Sequence, residues 1–147
     1  MLKPVELRIN NYLWYEATIH VVCGIKEESV LSWWVNKGKA NIEYNESLDL
    51  DPYIDNISQY KPIQLDEQWL IRFGFRKEKW FDNSDDLIIG LPVKAVYLFW
   101  EDNRVVMTDR HGYKLMVSIY YVHQLQNIYF SLTGEELSLK TKAVQNN

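Results

Sequence analysis

From Ala17 to Ile25 the chain alternates with period two. Ala17, Ile19, Val21, Cys23 and Ile25 fall on one face, and Thr18, His20 and Val22 on the other. This predicts a strand with Cys23 on its apolar face and His20 on its polar face. Val5 to Ile25 as a whole predicts two strands, with Asn10-Asn11 where the first begins or bends, since Asn tolerates positive φ. Val30 to Asn36 predicts a third, with Leu31, Trp33 and Val35 opposite Ser32, Trp34 and Asn36. Consecutive tryptophans in a strand cannot share a core. Either both faces are covered or the Trp34 ring lies near the surface. Asn36-Lys37-Gly38-Lys39 predicts a hairpin turn, and Ala40 to Tyr44 a fourth strand. Short, closely spaced strands with one apolar face predict a small curled sheet or SH3-like barrel.

Periodicity is then lost from Asn45 to Tyr60, where Glu46, Asp49, Asp51 and Asp55 collect, and a linker or long loop is expected. Helical spacing follows in Lys61 to Phe75, KPIQLDEQWLIRFGF. Asp66 is the expected N-cap, Leu65 and Leu70 form a hydrophobic staple, and Gly74 ends the helix. Leu65, Trp69, Leu70 and Phe73 share one face, while Ile71 points away and suggests a second contact. So short a helix holds only by packing.

Beyond it the pattern returns to strands. Lys77-Glu78-Lys79 is read as a charged turn between Phe75–Arg76 and Trp80–Phe81, and Asp82 to Asp85 as another turn. Leu87, Ile89 and Leu91 alternate, as do Val96, Leu98 and Trp100 against Tyr97 and Phe99. Glu101-Asp102-Asn103 and Asp109 to Gly112 are turn signals around Arg104–Thr108. Tyr113, Leu115, Val117 and Ile119 are the expected inward face of a last strand. Direct hairpin connections imply antiparallel pairing. Tyr120 to Gly134 predicts a second helix, its apolar arc formed by Tyr121, Val122, Leu125, Ile128, Tyr129 and Leu132. The fold class is therefore α+β: an N-terminal curled sheet, then an antiparallel meander packed by two short helices. The expected division is 1–60 and 61–147, or one continuous domain.

Composition narrows the function classes. The 147 residues are 47% hydrophobic and 14% aromatic, with six Trp and ten Tyr, which is ample for a packed core. The net charge is −4. Its acidic excess lies in residues 1–60, which disfavours sequence-independent binding to phosphate backbones. Cys23 is the only cysteine, so neither a disulfide framework nor a cysteine-rich zinc site is expected. Its predicted place on an apolar face marks a structural thiol. Met1 to Asn10 lacks the apolar core of a signal peptide, and no apolar run reaches the length of a membrane span. A cytoplasmic protein is expected.

Three blocks carry a resemblance: LRINNYLWY near the start, KPIQLDEQWLIRFGF in the middle and YVHQLQNIYFSLTGEEL near the end. Together the chain resembles a family of short uncharacterised proteins found in Bacteroidetes genomes and their phages or prophages. Asn10 stands where that family tends to have Gly, and Asp66 where it tends to have Thr. Both keep the physical role, positive φ in one case and helix capping in the other. The resemblance implies an intracellular bacterial or phage setting and supplies no catalytic residue.

Candidate chemistry is sparse. There is no phosphate-binding glycine loop, HExxH, paired CxxC or GxSxG, and no carboxylate pair with acid–base spacing. Asp49, Asp51 and Asp55 lack the glycine and terminal Glu of a calcium loop. His20, His111 and His123 have no metal-ligand spacing, so no metal and no cofactor is expected. Two surfaces invite binding. His123, Gln126, Asn127 and Phe130 lie together off the apolar arc of the second helix. With Trp34 they are the candidate contacts for a protein partner, unless that face is covered by another part of the chain. Arg72, Arg76, Lys77 and Lys79 beside Trp80 are the nucleic-acid alternative, since cations mixed with aromatic rings grip single strands. An enzyme with a site assembled around a histidine is the third reading. The leading expectation is a non-catalytic protein-interaction module, with oligomeric state left open.

Overall fold

The computed structural model describes residues 1–35, 52–79, 85–91, 96–109, 111 and 113–140. The fold is α+β, and the chain divides into two compact units, Met1–Ile63 and Gln64–Asn147. The predicted turn at Asn36 to Lys39 and the predicted strand Ala40 to Tyr44 lie outside the described residues.

The first unit is a curled five-stranded antiparallel sheet, with β1 at Tyr12–Tyr15, β2 at Thr18–Lys26, β3 at Ser29–Trp34, β4 at Tyr53–Asn56 and β5 at Tyr60–Lys61. The order β4-β3-β2-β1-β5 is a meander whose last strand returns beside the first, as in a small SH3-like barrel. A single 3₁₀ turn, Ile57–Gln59, carries the chain from β4 to β5 without reversing the strand sense, and the Asn56 side chain accepts from Ser58 N to start it. The stretch expected to be an acidic loop thus contains one strand, β4, and the start of β5. Tyr53 to Asn56 is too short to show a period, and the surrounding carboxylates mask it. Lys61, placed in the second half by sequence, pairs with Trp14 in this first sheet.

The β1–β2 turn is built on Glu16 and Ala17, both at positive φ (48° and 62°). That is the signature of a tight two-residue hairpin turn whose twist matches the flanking strands. Asn10 also sits at positive φ (79°), as its residue type predicts. In β2 the register slips between Val22 and Gly24, so Cys23 is the extra residue of a β-bulge. Alternation restarts there, and the predicted face assignment inverts. Val22 is in the core, Ile25 packs against it, and Cys23 is only half-buried. The core itself is Leu2, Leu7, Leu13, Tyr15, Val22, Val30, Ile57 and Tyr60.

The second unit opens with α1, Glu67–Arg72. The Asp66 carboxylate accepts from Trp69 N at 2.9 Å, the N-cap its sequence predicts. Leu65, Trp69, Leu70 and Phe73 are all buried, and Gly74 takes φ 99°. Ile71 is exposed. The sheet follows with β6 at Arg76–Lys79, β7 at Asp85–Leu91, β8 at Val96–Glu101, β9 at Arg104–Thr108 and β10 at Lys114–Ile119. These strands lie in strict sequence order. Lys77 to Lys79, read as a turn from its charges, lies within the strand, which pairs with Asp85 to Ile88. Asp102 and Asn103, at φ 50° and 61°, close the β8–β9 hairpin. Ile88, Phe99 and Val106 stand opposite one another across three strands and form a core row. In β10 a slip between Leu115 and Ser118 breaks the expected inward face. Ile119 is buried, but Tyr113 and Leu115 are exposed. The chain ends its described fold with α2, Val122–Thr133, capped by Gly134 at φ 74°. Gln124 Oε1 accepts from the N–H groups of Tyr120 and Tyr121 at its start. No helix among the described residues is long and apolar enough to cross a membrane.

Candidate functional site

The inner face of the first sheet changes character along its length. Cross-strand partners share a face, so the register Leu13↔His20↔Trp34, Val22↔Ser32↔Tyr53 and Val30↔Asp55 puts all of these residues on the concave side. One end of that row is aliphatic: Leu13, Val22, Val30 and Ile57. The other end is aromatic and polar, and it opens into a pocket of about 290 Å³ lined by Tyr15, Glu16, Thr18, His20, Trp34 and Tyr53.

Three of these rings form a corner. Tyr15 and His20 meet edge to face at 4.9 Å and 63°, His20 and Tyr53 at 5.1 Å and 75°, and Tyr15 and Tyr53 at 6.0 Å and 51°. Tyr60 backs Tyr15 at 4.7 Å. The Tyr15 hydroxyl donates to Asp55 Oδ2 at 2.9 Å, which fixes its ring. That bond, with burial second, pushes the Tyr15 phenol up to about 12. Trp34 and Tyr53 keep 39% and 51% of their surface exposed, so their rings are open to a ligand.

His20 holds the floor. It is buried, with Nδ1 2.9 Å from Ser32 Oγ and Nε2 3.1 Å from Thr18 Oγ1. Ser32 Oγ lies 2.8 Å from the Tyr60 hydroxyl, and Thr18 Oγ1 donates to Tyr15 O at 2.8 Å. Burial pushes the imidazole down to about 4, so it is neutral near pH 7 and carries one N–H. That single N–H orders the chain. Tyr60 donates to Ser32, Ser32 to Nδ1, Nε2–H to Thr18, and Thr18 to the Tyr15 carbonyl. The reverse tautomer would give up the 2.8 Å Thr18 bond. The direction chosen leaves aside only the 3.3 Å alternative from Tyr60 to Val30 O. A Ser–His contact of this length suggests a nucleophile and its base. Ser32, however, is fully buried and its proton is committed to the ring, so the pair braces the pocket floor.

The residues singled out from sequence fall in several places. Trp34 lines the pocket. His20, expected on a polar surface, is a core residue because the concave face claims the Thr18, His20, Val22 row. His123 and Gln126 are buried, so with Asn127 and Phe130 they do not form the expected exposed patch. The buried arc of α2 is rotated toward Val122, His123, Leu125 and Gln126, while Tyr121, Ile128, Tyr129 and Leu132 are only half-buried. Phe130 remains 37% exposed.

The basic alternative is also dispersed. Arg72 lies 4.7 Å over the Trp69 ring, and Arg76 and Lys77, adjacent in β6, point to opposite faces. Lys79 lies at the end of β6, and Trp80 falls outside the described residues. Among the described residues no three His, Cys, Asp or Glu side chains are grouped to hold a metal ion.

Sequence reading missed Tyr15, Glu16, Thr18 and Tyr53 as site residues. The one available signal was parity. Tyr15 and Trp34 sit on rows that face inward once the sheet curls, and Tyr53 enters that row only through pairing with Ser32. Comparison with protein-family models, curated proteins and solved structures found no match to this chain.

Proposed function

We propose that this protein is a non-catalytic interaction module of a bacterial or phage accessory protein, and that the aromatic mouth of its first unit receives a segment of a partner protein. The pocket supports this reading: exposed Trp34 and Tyr53 stand over a floor whose hydrogen bonds are all internal. Rigid aromatic rings with apolar faces and little rotamer entropy to lose are the side chains that dominate interface energetics. The floor offers no accessible nucleophile, and its histidine is both buried and neutral.

The test is affinity capture from a bacterial host lysate with the full chain, beside Trp34→Ala and Tyr53→Ala. Retention of one stoichiometric partner by the parent chain, lost in both variants, supports the module. Capture unchanged by both variants removes the pocket from the reading.

A further inference from the structure

We infer that the mouth of the first unit recognises a quaternary ammonium group carried by a partner protein, the head of a trimethylated lysine seated among Tyr15, Trp34 and Tyr53 with Glu16 at the rim. This rests on the docking role proposed above and names the group that the docking recognises.

The walls come first. Tyr15, His20 and Tyr53 stand at 51–75° to one another, with centroids within 6.0 Å. Tyr15 and His20 are themselves buried and form the back of this corner, so a rounded methylated cation meets the exposed Tyr53 and Trp34 rings in front of them, whereas a flat ligand can stack on only one wall. The size agrees: about 290 Å³ is at the small end for a ligand pocket and suits one side-chain head.

Charge has the matching sign. Among the described residues Glu16 is the charged member of the lining and no Lys or Arg joins it, and the imidazole in the floor is neutral at pH 7. The Glu16 backbone, at φ 48° in a tight turn, sets where its exposed side chain leaves the chain at the rim.

Hydrogen-bond capacity then separates methylated from plain lysine. A primary ammonium brings three N–H donors that need acceptors once desolvated. Both His20 nitrogens, the Thr18 hydroxyl and the Tyr15 hydroxyl are already engaged within the fold, so beyond the rim carboxylate of Glu16 a primary ammonium meets few acceptors for its three N–H groups. A quaternary head brings no donor and loses nothing in such a lining.

The source is a protein because of the strand beside the pocket. β4 is an edge of the described sheet, and its Tyr53 and Ile54 are 51% and 66% exposed. An extended segment laid along β4 would deliver one side chain into the mouth.

The experiment titrates the full-length chain, by calorimetry and by the Trp34 indole N–H signal, with a short Thr-rich peptide carrying one trimethyllysine. The same peptide with unmodified lysine, the same peptide with the uncharged tert-butyl isostere, and choline chloride are the comparison probes. The trimethyllysine peptide is expected to bind about tenfold more tightly than the isostere, as several shared cation–π contacts imply. Binding should vanish in Trp34→Ala and Tyr53→Ala, persist in Tyr53→Phe, and weaken a few-fold in Glu16→Gln. Equal binding of the charged peptide and the isostere overturns the inference. So does tighter binding of unmodified lysine. Choline binding as tightly as the peptide overturns the choice of a protein-borne group. A lysate partner lost in Trp34→Ala, with no binding of the trimethyllysine peptide, overturns this inference and leaves the docking role standing. No capture and no peptide binding ends both.

Discussion

In the first unit the chain after β4 makes one 3₁₀ turn and returns beside β1. In the second, β6 to β10 follow one another across the sheet and the last strand stays at an edge. Both are five-stranded antiparallel sheets. The return changes what the inner face can be. A curled sheet has a concave row with two ends, one closed by Leu13, Val22 and Val30 and one left as a mouth of rings. The core row of the second sheet, Ile88, Phe99 and Val106, is wholly apolar. Polar groups in the first unit's interior are tolerable because His20, Ser32, Thr18 and Tyr60 satisfy one another. Local hairpin chemistry alone therefore does not make a site; the return of β5 beside β1 does.

The sharpest test of that contrast sets the closed end against the open end. Leu13→Ala, at a fully buried core position, is expected to cost about 3 kcal/mol. Tyr53→Ala, at the exposed mouth, should cost less than about 0.5 kcal/mol while removing the ligand surface. Urea unfolding of both variants checks the pair. A large loss for Tyr53→Ala would make the mouth part of the core.

A second test uses pH. The folded His20 pKa lies below the ordinary 6.5, so between about 4 and 6.5 the unfolded chain binds the extra proton. The contribution of neutral His20 is complete above pH 6.5 and is lost as pH falls toward 4, on the order of 2 kcal/mol in all. Stability measured across that window in the parent chain and in His20→Gln should show the slope reduced in the variant. Equal slopes would place the ring in water. The second unit's core row supplies no such dependence.

Smaller effects belong to single turns. Asp66→Ala removes the N-cap of α1 and should cost about 1 kcal/mol in thermal or urea melts. Ala17→Gly relieves a left-handed residue in the β1–β2 turn and should raise stability by a few tenths of a kcal/mol to about 1 kcal/mol. A loss there would mean that the Ala17 methyl group has a packing role.

These elements also show what the sequence makes legible. The first helix can be read residue by residue, because its cap, staple and stop are local. The curled sheet is legible as a class from strand spacing. The pocket is not, because it needs β4 to find β3 and β5 to find β1, and those partners are set by closure rather than by neighbours in sequence. Trp34 could be marked as an unburied ring by parity alone. Tyr53 could not, since its strand is hidden among acids. The buried arc of α2 was misplaced for a related reason. His123 and Gln126 count as polar in any periodicity, yet their hydrocarbon parts can be buried when their polar ends have partners.

The slip at Cys23 has a consequence for evolution of the chain. Counting inward from Val22 by twos in an unbroken strand would reach Gly24 and then Lys26, sending a cation toward the aliphatic end of the barrel. One surplus residue resets the phase, so Ile25 fills that place and Lys26 faces water. The first strands can thus carry a polar message at the mouth and a greasy one at the base without choosing a single rhythm for both. Deleting Cys23 would remove one small side chain and reverse the sense of every position after it.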